Sequence, residues 1–216
     1  MASQIVAVLA HESAQPTVDE FLPQWRKLPC PLRCYVPEGH TINGFDDVRQ
    51  IGQSAHAGFL VFRRFIDTCR DLLRDEHDHY IIIEYDTVNI TADLPALDPR
   101  ALVGWRMWAP PHNMADGEPQ SCILSPWCFP RAALLRFVAQ AEVEIAADPE
   151  SSRFSGLLDR WIGWVALRSG IMSVMGRDLL GYPYFNGVHD EIRRTGAKWV
   201  HGWKHKEDFE DLWPQG

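Results

Sequence analysis

Residues 79–86 read HYIIIEYD, three consecutive isoleucines after an aromatic residue, with almost none of the apolar-polar alternation of a half-exposed strand. A strand of this kind has both faces covered, which places it inside a sheet with helices packed on either side. The neighbouring segments agree. QIVAVLA, residues 4–10, reads as another buried strand, and the turn HESAQPT leads into a helix whose start is marked by Thr17 and Glu20 at the spacing of a capping box. LRCYVP is the next short strand. Between Ser54 and Asp75 the apolar residues Leu60, Val61, Phe65, Ile66, Cys69, Leu72 and Leu73 recur at helical spacing. Repeated strand, helix, strand over residues 1–90 predicts an α/β fold with a mainly parallel sheet.

The second half has shorter elements. DPRALVGWRMWAPP and SCILSPW read as strands separated by a loop over 109–120, and PRAALLRFVAQAEVEIAA as a helix with Pro130 in its first turn. A further helix over 154–169 ends near Gly170, and IMSVMG and AKWVHGWKH read as strands. No repeat, low-complexity segment or linker divides the chain, so residues 1–216 are expected to form a single domain. Most of the nine tryptophans lie in this half. They fill a core or offer aromatic platforms to a ligand, with Trp127, Trp161 and Trp164 the candidates for stacking on a sugar or base.

Composition narrows the class. Of 216 residues, 46% are hydrophobic and 23% charged, an ordinary globular composition that counts against a disordered chain. No run approaches the ~18 apolar residues of a membrane span, and the start MASQIVAVLAHES lacks a basic leader, so the expected location is cytoplasmic. Five cysteines, an odd number without paired CxxC spacing, read as free thiols. A net charge of -8 counts against a broad nucleic-acid surface, which needs clustered Lys and Arg.

Against this frame Glu84 and Asp86 stand out, two carboxylates at the end of a strand built for burial. In an open parallel sheet, ligands gather at the carboxyl ends of strands. The i, i+2 spacing puts both side chains on one side where the backbone stays extended. Adjacent carboxylates repel unless a cation or a shared proton neutralises them, and hard divalent ions prefer oxygen ligands.

A carboxylate pair after an apolar strand, in a chain that begins β-α-β-α, resembles the DxD motif of GT-A fold, family 2-like glycosyltransferases, here Glu84-Tyr85-Asp86. IVAVLAHES is similar to that family's first strand and nucleotide-receiving loop, and GQSAHAGFLVFRR to the segment that opens a helix beneath the donor. SGLLDRWIGWVALRSGI resembles its xED segment, with Leu157-Leu158-Asp159 at the motif and the usual acidic residue before Asp159 absent. KWVHGWKH is similar to the late strand that returns a histidine to the metal.

The resemblance implies a GT-A-like (Rossmann-like), mixed and mainly parallel sheet flanked by helices, with 1–90 the nucleotide-binding half and 91–216 the acceptor-binding half. It implies sugar transfer from a nucleotide-sugar donor to a saccharide or other hydroxyl acceptor with a divalent metal, Mn2+ or Mg2+. Asp86, Glu84, His201 and His205 are then the candidate metal ligands. His11, Glu12, Ser54, Gly58, Arg63, Glu84 and Lys204 are the candidate donor contacts, and Arg64, beside Arg63, is either a phosphate contact or solvated. Asp159 is the candidate general base for an inverting transfer. Three alternatives use the same residues: transfer to modified, phage-type DNA, which the acidic charge disfavours; a metal-dependent nucleotidyltransferase or phosphohydrolase; and a non-catalytic nucleotide-sugar-binding protein.

Overall fold

A computed structural model of the chain describes residues 3–53, 59–108, 121–148, 157–181 and 188–202. In chain order, β1 (Gln4–Leu9) leads through a short 3-10 turn, Glu12–Ala14, into α1 (Gln15–Trp25). β2 (Leu32–Val36), β3 (Val48–Gln50), α2 (Phe59–Leu72), β4 (His79–Glu84) and β5 (Thr87–Asn89) follow. The second half contributes β6 (Leu102–Trp108), β7 (Ser121–Pro130), α3 (Arg131–Ala147), α4 (Leu158–Arg168), β8 (Ser173–Met175), β9 (Leu179–Gly181), α5 (Val188–Thr195) and β10 (Trp199–His201).

Seven strands form the main sheet in the order β3-β2-β1-β4-β7-β6-β8. β7 runs antiparallel to β4 and β6, and the other neighbouring pairs are parallel. A second sheet orders its three strands β5-β10-β9. The fold is therefore mixed α/β, and its central strands explain the unbroken isoleucine run. Ile82 and Tyr80 point into a core shared with α2, α3 and α4, while Ile81 and Ile83 point into the opposite core with α1 and the small sheet. All four are 0% exposed, so neither face leaves room for a polar alternate. Fully burying one such side chain contributes about 1.5–3 kcal/mol.

Three expectations need adjusting. The Thr17–Glu20 capping box does not form: α1 starts at Gln15, with Ala14 at its N-cap and Pro16 in its first turn. Proline lacks the N–H that a first turn leaves unpaired and has its φ preset for helix, so Pro16 sets the start three residues earlier than an N-cap at Thr17 would. Pro130 is the N-cap of α3 rather than a residue inside it. Trp127 and Trp161 are closed in the core, each 1% exposed, with the Trp161 ring stacked 4.9 Å from Phe62. Trp164 is half-buried and donates its indole N–H to Glu144 at 2.9 Å.

α4 does end at Gly170. The Gly170 N–H donates to Leu167 O and the Ile171 N–H to Ala166 O. This Schellman pairing requires the positive φ of 65° that glycine takes at no steric cost. The five cysteines are all unpaired. No helix among the described residues is long and apolar enough to cross a membrane.

Candidate functional site

β1 and β4 lie side by side and end level, with Leu9 opposite Glu84. The next strands of the main sheet lie on opposite sides of this pair, β2 after β1 on one side and β6 after β4 on the other. That divergence makes the topological switch point where an open α/β sheet leaves a crevice. A cavity of about 230 Å3 opens there, with Leu9, His11, Arg64, Glu84, Tyr85 and Leu158 among its walls.

Glu84 is the last residue of β4, and the Tyr85 N–H still donates to Leu9 O at 3.0 Å, which holds the next residue against β1. The chain then turns and enters the small sheet as β5. There β10 runs antiparallel to β5 with His201 opposite Thr87, so a residue 114 positions later arrives over the turn. Gly202 follows at φ 85°, and its N–H donates to Asp86 O at 3.2 Å. Only a residue without a Cβ takes that conformation readily, which lets the backbone fold down onto Asp86 directly after His201.

Glu84, Asp86 and His201 thus offer two carboxylate oxygens and an imidazole nitrogen, all within 4.8 Å of one another. His201 Nε2 is 3.3 Å from Glu84 Oε2, and Nδ1 is 3.6 Å from Asp86 Oδ1. His201 is 2% exposed. Burial lowers its pKa against the opposing pull of Asp86 and Asp159, leaving the neutral ring that coordinates metals. Burial in the cavity floor, with the like charges of Asp86 and Asp159, pushes the Glu84 carboxyl up to about 8, and Arg64 opposes the rise. A cluster that resists carrying its own negative charge is one that a cation would relieve. The two carboxylates suit magnesium or manganese by donor type, and the imidazole beside them favours manganese, the transition metal of the two.

The other candidates divide. His11 walls the cavity, its ring edge-on to Tyr85 at 4.8 Å and its Nδ1 2.7 Å from Ser13 Oγ. Glu12 is exposed, and its backbone N–H donates to His40 Nδ1 at 3.2 Å. Arg63 pairs with Glu142 on α3 at 3.4 Å, whereas Arg64, one residue on, faces the cavity half-buried. Burial lowers the Arg64 pKa, and the Glu84 carboxylate works against that effect. Asp159 is half-buried in the first turn of α4, where the helix N-terminus favours a negative charge. Its field reaches Glu84, His201 and the Cys122 thiol, which burial first and Asp159 second push up to about 11. Ser54, Gly58, Lys204 and His205 lie outside the described residues.

Two further residues, not among the candidates, take part. Thr87 Oγ1 lies 3.1 Å from His201 Nδ1 and 2.8 Å from Ser125 Oγ, and Ser125 Oγ accepts the Glu84 N–H at 3.1 Å. Thr87 directly follows the Glu-Tyr-Asp turn, a position that invites attention, but Ser125 sits in a mostly apolar strand and carries no such signal.

No protein-family model matches this chain, and no curated protein matches it by sequence. Its fold is similar to that of LgtC, seen in the crystal structure of an active-site mutant. The TM-score is 0.54, over 96% of this chain and 94% of that chain, at 10% identity. LgtC has the GT-A glycosyltransferase fold, and the mainly parallel sheet flanked by helices is the architecture the two share.

Proposed function

We propose that this protein is a nucleotide-sugar-dependent glycosyltransferase that uses a divalent cation, with residues 1–216 forming one GT-A-like domain. The observation that carries the reading is the convergence of Glu84, Asp86 and His201 at the switch point of the sheet. On this reading residues 1–90 bind the nucleotide and residues 91–216 bind the acceptor. The fold shared with a glycosyltransferase supports the assignment.

Asp86, Glu84 and His201 would hold the cation, which when bound supplies Lewis-acid stabilisation of charge on the leaving diphosphate. The remaining work falls to the chain. Arg64 presents a guanidinium to the donor from the cavity wall, where a low-dielectric surround strengthens its attraction for phosphate or sugar oxygens. His11 and Tyr85 border the space for the base and ribose. Glu12, Ser54, Gly58 and Lys204 complete the proposed donor contacts, and His205 is a further ligand candidate.

In an inverting transfer, Asp159 takes the acceptor hydroxyl proton on the side opposite the leaving diphosphate. Its place in the first turn of α4, within electrostatic reach of Glu84 and His201, supports that role. Five unpaired thiols fit a reducing compartment, in keeping with a cytoplasmic enzyme.

Thermal-shift measurement against UDP-, GDP-, dTDP- and CMP-sugars, with and without manganese, tests the proposal, because a ligand bound by the folded state alone raises the melting temperature. One nucleotide class should stabilise the protein, and more so with manganese. No shift with any of them overturns the reading.

A further inference from the structure

The Glu84–Asp86–His201 triad is backed by two hydroxyls with no access to water. Thr87 and Ser125 are each 0% exposed, so neither is a surface group that happens to lie nearby. They connect the ligands in one line: Glu84 N–H to Ser125 Oγ (3.1 Å), Ser125 Oγ to Thr87 Oγ1 (2.8 Å), and Thr87 Oγ1 to His201 Nδ1 (3.1 Å). The line crosses from the end of β4 through β7 to the first residue of β5 and on to the last residue of β10. It ties the strand that carries one carboxylate to the strand that brings the imidazole.

We infer that Thr87, backed by Ser125, is a positioning residue that sets the His201 ring to offer Nε2 to a divalent cation held with Glu84 and Asp86. The inference rests on the metal site of the proposed function. An imidazole can present either nitrogen by rotating about its outer side-chain bond, and here Asp86 Oδ1 lies 3.6 Å from Nδ1 and competes for it. Thr87 engages Nδ1 at shorter range, which leaves Nε2 facing Glu84 at 3.3 Å.

The choice of a hydroxyl matters because it both donates and accepts. With a cation on Nε2, the ring proton sits on Nδ1 and is donated to Thr87 Oγ1, and the Thr87 hydroxyl donates to Ser125 Oγ. With the proton on Nε2, the Thr87 hydroxyl turns and donates to Nδ1. The heavy atoms keep their places in both arrangements. A carbonyl could serve only the first, and an ammonium only the second. Outer partners of a metal-binding histidine that fix its ring in this way typically contribute about 10–100-fold in metal affinity.

The test uses the full chain and manganese alone, read by calorimetry and by electron paramagnetic resonance of the bound ion. Thr87→Val keeps the shape and removes the hydroxyl. It should raise the manganese Kd by about 10–100-fold and weaken the imidazole-nitrogen coupling of the bound ion, while Thr87→Ser should return to within about threefold of the parent. A parent-like Kd and nitrogen coupling in Thr87→Val would overturn the inference and leave the hydroxyls a purely structural role. If the parent itself binds no manganese, or binds it without nitrogen coupling, the metal centre of the proposed function falls and this inference falls with it. Should Thr87→Val fail to fold, Ser125→Ala carries the test, with the same expected rise and the same refuting result.

Discussion

Glu84→Gln should make the metal-free protein more stable at alkaline pH while weakening its hold on manganese. The Glu84 carboxyl has an ordinary pKa of 4.5 and is pushed up to about 8 in the folded state, first by burial and then by Asp86 and Asp159. Between those values the folded protein binds a proton that the unfolded chain has released, so stability falls as pH rises through the window and the full penalty stands above its upper end. Glutamine does not titrate and escapes the penalty. At about 1.36 kcal/mol for each tenfold in proton affinity, an unscreened penalty approaches ~5 kcal/mol. Glu84 keeps 34% of its side chain exposed, and solvent screening reduces the expected gain to roughly 1–2 kcal/mol. Urea denaturation in the presence of a chelator measures it. The variant should match the parent near pH ~4.5 and exceed it near pH ~8.5, with an unchanged denaturant slope. A variant that is no more stable at the higher pH, or that gains equally at both, refutes the electrostatic account of the cluster.

Two further outcomes follow from the placement of side chains around the cavity. Arg64→Ala should weaken nucleotide-sugar binding by about 10–100-fold in calorimetry, the size of a lost hydrogen bond to a charged group; Arg63→Ala, which removes an outward pair with Glu142, should stay within about twofold. Asp159→Asn should keep donor affinity yet lower transfer by about 100-fold or more, since the amide is nearly isosteric and cannot take a proton. Transfer within about threefold of the parent would remove Asp159 from the mechanism.

Much of the first half is legible in the sequence because burial on two faces leaves a clear mark. The isoleucine run of β4 reads as a central strand, and its abrupt end in Glu84 and Asp86 points to the sheet edge. Of the three-residue strands, β8 and β10 lie within the longer segments IMSVMG and AKWVHGWKH that read as strands, whereas β3, β5 and β9 stand beside turns and loops and are not legible. The expected capping box at Thr17 competes with Pro16, and the proline prevails.

Around the site, helical phase distinguishes Arg64 from Arg63. Arg64 shares the cavity wall with Val61 and Phe65, three residues before and one after it, whereas Arg63 turns towards α3. Ser125 has no local signature at all. Its neighbours are chosen for the core, and its role comes from the sheet order that sets β7 beside β4.

Asp86→Ala offers the most direct measurement of the central claim, because Asp86 lies on the turn that joins the two sheets and its backbone pairing to Gly202 survives the loss of its carboxylate. Binding of the best nucleotide sugar is titrated calorimetrically, with and without manganese, in the parent and the variant. Binding should be tighter with manganese in the parent, and equal with or without it in a variant that melts like the parent. Manganese-enhanced binding that persists in Asp86→Ala would contradict that claim.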